Sequence, residues 1–133
     1  LNSSATNRFY NYYDNDVKES IIYYRLKIIE ANGAGNYSPV VAVVTGKNEV
    51  ILNRVQPNPV KVNALLHIIA GSAGPIDLQI IDIQGKIIRK WKEPLIKGNN
   101  FISVQRIGIP GGLYFVTAKK EGAGSQTLLF IKQ

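Results

Sequence analysis

Cysteine is missing from this sequence, and its absence removes several kinds of chemistry. There is no disulfide framework, no thiol nucleophile and no cysteine-based metal site. The compartment stays open, because an exported domain with an adequate core can do without disulfides. A chain of 133 residues is long enough for such a core, since a domain near this size buries roughly two thirds of its unfolded surface.

Long apolar runs are missing too, and no stretch approaches the roughly 18 apolar residues of a membrane helix. The sequence starts at Leu1 rather than at a methionine, and no charged segment followed by an apolar one stands there. We therefore interpret it as a fragment or a processed form, with any export signal outside it.

Histidine occurs once, as His67, within the apolar stretch "LLHII" and with no nucleophile motif nearby. A Ser-His-Asp arrangement would have to use it, so we interpret His67 instead as a strand residue with a partner or a solvent-facing ring. One histidine and no cysteine also exclude zinc clusters of the usual kind. Asp14-Asn15-Asp16 offers oxygen ligands for calcium but lacks the rest of the loop pattern, which favours a polar turn.

Acidic residues are scarce in the second half of the chain. Residues 1–60 hold six Lys/Arg against five Asp/Glu, a net charge of +1, whereas residues 61–133 hold ten against four, a net charge of +6. Glycosidic chemistry needs two converging carboxylates, and Asp77 and Asp82 share one short segment. We predict that the chain is not an enzyme, with no catalytic residue, no metal site and no cofactor.

The basic residues of the second half could attract nucleic acid, an anionic membrane surface or an acidic partner. They do not cluster with aromatic residues but are spread along alternating predicted strands. This spacing favours a solvated outer sheet face, and we predict no nucleic-acid binding. The residues are Lys61, Lys86, Arg89, Lys90, Lys92, Lys97, Arg106, Lys119, Lys120 and Lys132.

Short runs of β-branched and aromatic residues, bounded by Gly, Asn and Pro, fill the chain and predict an all-β fold. No segment of 11 or more residues has a helical period. Seven short strands after residue 48 predict a compact antiparallel immunoglobulin-like β-sandwich. The predicted strands are 8–13, 21–31 and 39–45, then 49–54, 63–70, 75–83, 86–92, 100–106, 112–120 and 125–132.

Three segments are predicted along the chain. Residues 57–133 form the sandwich, and the stiff Pro57-Asn58-Pro59 joint stands at its start, because proline fixes φ and pushes the preceding residue toward extended conformations. Residues 46–56 are the predicted linker. Residues 1–45 contain too few strands for a closed sandwich. The alternation of Tyr24, Leu26 and Ile28, followed by Asn32 and Gly35, resembles the last part of a fibronectin type III or similar immunoglobulin-like module.

Aromatic residues suggest one alternative function. Trp91 and the seven tyrosines could form a sugar-stacking platform, which would make the chain an immunoglobulin-like adhesive or carbohydrate-binding module of a surface protein. Most of the tyrosines lie in the first part, where core and strand-edge packing is the favoured explanation. They are Tyr10, Tyr12, Tyr13, Tyr23, Tyr24 and Tyr37.

Several motifs occur together in a specific order. After the Pro-Asn-Pro joint come an apolar strand, "DLQIIDIQGKIIR" (77–89), "GLYFV" (112–116) and a last strand with a lysine near its end. This order resembles the C-terminal sorting domain of the type IX secretion system of Bacteroidetes bacteria, over about residues 50–133. The matching motif residues are Pro57, Asn58, Pro59, Asp82, Gly85, Gly112, Tyr114 and Lys132. Gln133 after that lysine departs from the many members that end on a basic residue.

The resemblance implies a folded secretion signal carried by a cargo protein. In the family, cargo reaches the periplasm with a separate N-terminal signal, and the C-terminal domain directs it through an outer-membrane translocon. A β-barrel shuttle protein receives it, and a sortase-like peptidase often removes the domain and joins the cargo to anionic lipopolysaccharide. The expected location is the cell surface or the medium.

Two expectations about sites follow from the resemblance. The last strand and Lys132 are expected to be the main recognition element. The cut is expected in the linker, at Gly46, Lys47, Asn48 and Glu49, with the Pro-Asn-Pro joint keeping the linker extended and exposed.

Overall fold

A computed structural model describes residues 10–104 and 108–133, which contain eleven strands and no helix. Without helices, these residues offer no apolar helix of the length that crosses a bilayer. The strands are β1 (Ile21–Tyr24), β2 (Lys27–Ile29), β3 (Gly35–Tyr37), β4 (Val41–Val44), β5 (Val50–Gln56), β6 (Ala64–Ala70), β7 (Gly74–Asp82), β8 (Ile87–Leu95), β9 (Gly98–Val104), β10 (Gly112–Lys120) and β11 (Gln126–Lys132).

The last seven strands form two antiparallel sheets, one of order β5-β6-β9 and one of order β11-β10-β7-β8. Their side chains alternate between a buried and a more exposed face, as in β10, where Tyr114, Val116 and Ala118 point inward. The predicted seven-strand β-sandwich is confirmed. Its core consists of Val50, Leu52, Val55, Val60, Ala64, Leu66, Ile68, Ala70, Ile76, Leu78, Ile80, Leu95, Ile102, Val104, Tyr114, Val116, Ala118 and Phe130.

The Pro-Asn-Pro joint is an exposed connection from one sheet of the sandwich to the other, and strand β5, which falls within the predicted linker 46–56, precedes it. Strand β5 pairs with β6 in the three-stranded sheet, and the chain then passes through residues 57–59 to the other sheet. There Val60 forms a parallel bridge with Lys132 of β11. Because proline has no N–H to donate to a ladder, a crossing between sheets is a position where two prolines are tolerated.

Residues 10–45 contain two separate two-stranded antiparallel sheets, β1-β4 and β2-β3. The single strand predicted over 21–31 is broken at Arg25 and Leu26. The backbone N–H of Leu26 donates to the Ser38 hydroxyl (2.8 Å), and the Ser38 N–H donates back to the Leu26 carbonyl (2.9 Å), so the chain changes partner there. The predicted strand 8–13 is wrong for residues 10–13, which form no strand, and residues 8 and 9 lie outside the described residues.

Smaller differences concern strand ends in the sandwich. Strand β8 runs to Leu95 rather than stopping at 92, and β9 begins at Gly98 rather than at 100. The end of the predicted strand 100–106, including Arg106, lies outside the described residues. Strand β3 was not predicted, because a three-residue segment shows too little alternation to be recognised.

The segment between the two regions is a tight turn with hydrogen bonds to both of them. The N–H groups of Thr45 and Gly46 donate to the Ser20 carbonyl (2.9 and 3.1 Å), and the Glu49 N–H donates to the Gly46 carbonyl (3.2 Å). On the other side, the Gly71 N–H donates to the Glu49 carbonyl (2.9 Å). A Cβ atom on Gly71 would lie 1.8 Å from the Gly46 carbonyl oxygen, so only glycine allows this approach.

Candidate functional site

The motif residues identified in the sequence converge at one end of the sandwich. Asp82 on β7 pairs with Tyr114 on β10, which pairs with Phe130 on β11. Two residues further along these strands, Gly112 pairs with Lys132. Val60 forms its bridge with Lys132 on the side opposite to Gly112. Residues that are far apart in the sequence are therefore neighbours across adjacent strands.

The Pro-Asn-Pro joint and Val60, which follows it, form three hydrogen bonds with the end of the chain at β11. The Val60 N–H donates to the Ile131 carbonyl (2.7 Å), and the Gln133 N–H donates to the Val60 carbonyl (2.9 Å). The Ile131 N–H donates to the side-chain oxygen of Asn58 (2.9 Å). Asn58 thus supplies the acceptor that the backbone of a neighbouring strand would otherwise present, and the joint covers the end of the β11 edge.

Lys132 folds back onto the same junction. Its ammonium group donates to the Lys61 carbonyl (2.8 Å) and also to the Gln133 carbonyl. Within residues 10–104 and 108–133, neither of the ion pairs recorded involves this lysine. The terminal lysine therefore ties the last strand to the segment after the Pro-Asn-Pro joint through backbone acceptors.

The Asp-x-x-Gly element closes the hairpin between β7 and β8. One Asp82 carboxylate oxygen accepts the N–H groups of Gln84 and Lys86, each at 2.9 Å. The Asp82 N–H donates to the Lys86 carbonyl (3.0 Å), and Gly85 has a φ of 84°. The aspartate satisfies the turn's backbone donors, and glycine supplies the left-handed conformation, which explains the spacing of the two residues.

Tyr114 belongs to the core at this end rather than to the surface. Its side chain is 7% exposed, its ring centroid lies 5.9 Å from that of Phe130, and its hydroxyl donates to the Pro110 carbonyl (3.0 Å). Burial of the ring and satisfaction of the hydroxyl fix the start of β10 against β11.

The outer face of the four-stranded sheet, which points away from the core, is apolar at this same end. Phe115 pairs with Leu129 on one side and with Ile81 on the other, and Ile81 pairs with Ile87, so one apolar row crosses all four strands. A second row joins Leu113 and Ile131. Leu113 and Leu129 are each 47% exposed. We call these six residues the apolar end.

The other end of the same face is polar and basic. Thr117 pairs with Gln79, which pairs with Lys90, and in the next row Lys119, Asp77 and Lys92 are neighbours. Lys92 lies 3.5 Å from Asp77; the lysine is largely accessible to solvent and the aspartate is partly so. The expected solvated basic face thus describes only this half. A sequence signal for the apolar half was present, since "GLYFV" and "LLFI" are apolar on both faces of their strands.

The two edges of the four-stranded sheet differ in how they are protected. Strand β8 carries Lys90, Lys92 and Pro94 and a register shift against β7, all of which discourage pairing with another strand. Strand β11 carries the uncharged Thr127 and Leu129 on its outer face. The Leu52 N–H of β5 donates to the Gln126 side chain at its start (2.8 Å), and the Val60 bridge reaches its last residues. The edge at the end of the chain is therefore the less guarded one.

The remaining candidate residues lie elsewhere. His67, on the outer face of the three-stranded sheet, has its ring nitrogens 2.8 Å from the side chains of Asn53 and Asn99 and stacks on Phe101 with centroids 4.6 Å apart. Trp91 packs against the core, with the Arg89 guanidinium 4.9 Å from its ring centre. Trp91 therefore faces the core, whereas His67 lines an open cavity of about 460 Å³ together with Tyr23, Asn53 and Asn99.

The polar turn at residues 14–16 is held by its own contacts. The Asp16 N–H donates to an Asp14 carboxylate oxygen (3.3 Å), the other Asp14 oxygen accepts the Tyr24 hydroxyl (2.8 Å), and Lys18 pairs with Asp16 (3.3 Å). Among the residues whose structure is described, no group of three acidic or histidine side chains could hold a metal ion.

Packing does not explain the tyrosines of the first part. Tyr10, Tyr12 and Tyr13 are 79 to 89% exposed and lie outside any strand, whereas Tyr23 and Tyr37 lie on strands but are more than half exposed. The expectation that core packing accounts for them is wrong, because these side chains are largely exposed.

The predicted cleavage residues Gly46, Lys47, Asn48 and Glu49 form the turn between the two regions. Lys47 and Asn48 are exposed at its tip. The expectation that the Pro-Asn-Pro joint keeps an extended linker exposed is wrong, since strand β5 separates the joint from a turn that is hydrogen-bonded on both sides.

Comparison with known proteins identifies a matching family and a similar solved structure. Residues 54–133 match the family model described as a secretion system C-terminal sorting domain. A crystal structure of dimeric latent PorU from Porphyromonas gingivalis superposes with a TM-score of 0.52 at 18% sequence identity, over 87% of this chain. The chain spans only 12% of that protein's length, so this similarity concerns the fold. No curated protein matches the chain.

Proposed function

Because the chain belongs to the family of secretion system C-terminal sorting domains, we propose that residues 50–133 are the folded export signal of a larger cargo protein. The resemblance to the type IX sorting domain is confirmed, and membership implies export to the cell surface or the medium. The family is one of sorting signals rather than of enzymes.

The observation that carries the proposal is the convergence of the motif residues at one end of the sandwich. The Asp82 hairpin, the start of β10 at Gly112, the end of β11 at Lys132 and the Pro-Asn-Pro joint form one continuous patch. A receptor that binds this end would contact all of them at once. We infer that the receptor recognises a folded surface rather than a linear peptide. Lys132 contributes to this surface by holding the last strand in place.

The chemistry of this end indicates the kind of receptor. The apolar end and the weakly guarded β11 edge suit a partner that offers apolar side chains and strand backbone. Such a partner is available in the proposed route, through a β-barrel shuttle protein and the outer-membrane translocon. The basic end, with Lys90, Lys92 and Lys119, would favour anionic lipopolysaccharide or an acidic receptor surface.

Residues 10–45 fit the role of a module that precedes the signal. Nearly all their apolar side chains are exposed, and Leu26, Ile29 and Val40 are each at least 60% exposed. Two-stranded sheets with open apolar faces are marginal in isolation, so we infer that further strands of an immunoglobulin-like module cover them. A sortase-like peptidase would then cut between the module and the signal, within residues 46–49.

The proposal can be tested by fusing residues 46–133 to a fluorescent protein with a periplasmic signal, in a Bacteroidetes host with an intact type IX system. We expect the fusion on the cell surface or in the medium, and in the periplasm of a strain that lacks the translocon. Removing residues 125–133 should leave the fusion in the periplasm. Surface delivery of that truncated fusion would contradict the proposal.

A second variant pair separates recognition from folding, because the truncation also removes Phe130 from the core. Leu129→Ser changes the apolar end, and Leu65→Ser changes a residue of similar exposure (46%) on the outer face of the other sheet. We expect secretion to fall for Leu129→Ser alone, with both variants folded. Equal secretion of the two would show that the apolar end is not recognised.

A further inference from the structure

The second region, residues 50–133, holds the turn at residues 46–49 through a series of hydrogen bonds that begins at a buried lysine. Lys120, at the end of β10, is 6% exposed, and it is the one charged side chain that is buried in residues 10–104 and 108–133. Its ammonium group donates to the Ser72 carbonyl (2.7 Å) and to the Ser72 hydroxyl (2.8 Å). Burying such a group is costly unless it is hydrogen-bonded, so Lys120 and Ser72 fix each other's position.

The Ser72 hydroxyl also forms a hydrogen bond with the backbone of the turn. A serine hydroxyl has one hydrogen to donate and two lone pairs that accept. Here the oxygen accepts from Lys120, which leaves its hydrogen free to donate to the Lys47 carbonyl. Lys47 is therefore held by its backbone, although its side chain is exposed.

Two further contacts hold the turn on the same side. The Gly71 N–H donates to the Glu49 carbonyl (2.9 Å), and Gly71 leaves no space between itself and Gly46. Asn48 packs against the hairpin between β10 and β11, where a Cβ atom on Gly122 would lie 3.0 Å from the Asn48 side-chain nitrogen. The tip of the turn is open to solvent, but its backbone is restrained on either side of Lys47 and Asn48.

We propose that Lys120 and Ser72 form a latch on the turn, and that proteolytic separation of the two regions occurs at the Lys47–Asn48 bond only after this latch opens. A peptidase must unbend its substrate, and susceptibility of a loop depends on the hydrogen bonding of its backbone as well as on its exposure. The biological meaning of the latch rests on the proposed function: it would keep signal and cargo joined until a processing enzyme engages the turn.

Trypsin is a suitable probe, because it cuts after lysine and Lys47 is at the tip of the turn. The test uses the whole purified chain with Lys120→Met, which keeps an aliphatic side chain but removes both hydrogen bonds to Ser72. The matched control is Lys119→Met, which removes an exposed lysine from the same strand. Mass spectrometry of the fragments over time gives the rate at each site, with Lys86 and Lys97 as references far from the latch in sequence.

We expect Lys120→Met to be cut at Lys47 about tenfold faster than wild type, because proteolysis follows the population of the opened form and two buried hydrogen bonds are lost. Lys119→Met should be cut at the wild-type rate, and the rates at Lys86 and Lys97 should not change in either variant. An unchanged rate at Lys47 in Lys120→Met would overturn the proposal. An equal increase at all three sites would also overturn it, since that indicates general destabilisation.

Two more variants open the turn while keeping the Lys120 side chain, which in Ser72→Ala retains its hydrogen bond to the residue 72 carbonyl. Ser72→Ala removes the donor to the Lys47 carbonyl, and Gly71→Ala forces the Gly46 carbonyl away. Both should speed cutting at Lys47, and amide exchange of residue 71 should speed up in Ser72→Ala. Slow exchange with unchanged cutting in Ser72→Ala would refute the latch. These measurements need no secretion system, so their failure is distinguishable from failure of the secretion assay.

Discussion

Residues 10–45 and residues 50–133 are built from the same β-branched and aromatic residue types, but they bury them very differently. In the first region Val44 is the one apolar side chain that the described residues bury, whereas the second region buries a core of eighteen. Strand β2 is exposed at all three positions, and strand β10 alternates between buried and exposed ones. The difference lies in the presence of a second sheet, since a sheet without one leaves its apolar face in water.

The role of an apolar residue depends on whether its side chain points into a core or away from it. In the sandwich an inward residue such as Phe130 stabilises the fold, and an outward one such as Leu129 forms a surface. Among the described residues of the first region most apolar side chains are exposed, and only Val44 is buried. Substitutions of the same kind in the two regions should therefore have unequal effects, and the predictions below use such pairs.

The largest difference is expected for large apolar residues. Phe130→Ala should lower the free energy of unfolding by about 3–5 kcal/mol, because it leaves a cavity against Tyr114. Leu26→Ala should change it by less than about 0.5 kcal/mol, since Leu26 is 69% exposed. Urea unfolding of the two variants measures both values. Similar losses would mean that residues 10–45 contribute to the same core.

A second pair compares two turns that are closed in the same way. Asp82 accepts two backbone N–H groups in the β7–β8 hairpin, and Asn32 accepts the Ala34 N–H (2.8 Å) in the β2–β3 hairpin. Asp82→Ala should cost about 2 kcal/mol of unfolding free energy, because both donors lose a charged acceptor. Asn32→Ala should leave global unfolding unchanged, as its hairpin lies outside the core.

The conservative variant Asp82→Asn tests the mechanism of this effect. The amide keeps one oxygen acceptor but loses the charge, so its unfolding free energy should fall between those of wild type and Asp82→Ala. Amide exchange at Lys86 should rise in the same order. An Asp82→Asn protein as unstable as Asp82→Ala would point to the charge alone.

Much of the sandwich could be predicted from the sequence, because its strands alternate and its turns carry Gly, Asn or Asp. Strand β10 was predicted with its observed limits, and Asp82 and Gly85 were identified as motif residues through the family resemblance. The position of the Pro-Asn-Pro joint between two sheets could not be predicted. This position depends on the hydrogen bond between the Ile131 N–H and the Asn58 side chain, which are 73 residues apart in the sequence. Local sequence patterns do not indicate such long-range pairing.

The break in the predicted strand 21–31 has a similar cause. "IIYYRLKII" contains no Gly, Pro, Asn or Asp that would interrupt a strand, and only the pairing of β1 with β4 and of β2 with β3 divides it. The convergence of the motif residues was equally invisible, because each was recognised singly. Their common location emerges only from the register of β7, β10 and β11.

A smaller effect is expected where the joint meets the last strand. Asn58→Ala removes the acceptor for the Ile131 N–H and should cost about 1 kcal/mol, with faster amide exchange at Ile131. The control in the first region is Asn36→Ala, which removes an exposed bond to Glu30 (3.2 Å) and should have no measurable effect on unfolding. If Asn58→Ala left exchange at Ile131 unchanged, the edge would be closed by the backbone of Val60 alone.

The smallest effect belongs to the first region and depends on pH. The pKa of the Tyr24 side chain is raised, first by its hydrogen bond to Asp14 and then by desolvation and the charge of that carboxylate. A raised pKa in the folded state means that this contact stabilises the fold while tyrosine is neutral, and that the contribution is lost as pH rises through the Tyr24 pKa. The sandwich core should not respond over that range through this contact.

Asp14→Asn tests this difference directly. It removes the carboxylate but keeps a side-chain oxygen, so the Tyr24 ring should titrate at lower pH than in the wild-type chain, by NMR of the aromatic resonances. The spectrum of the core residue Phe130 is the internal control and should be the same in both proteins across the titration. A Tyr24 titration that does not move in Asp14→Asn would mean that the contact with Asp14 is too weak in solution to hold residues 10–24 together.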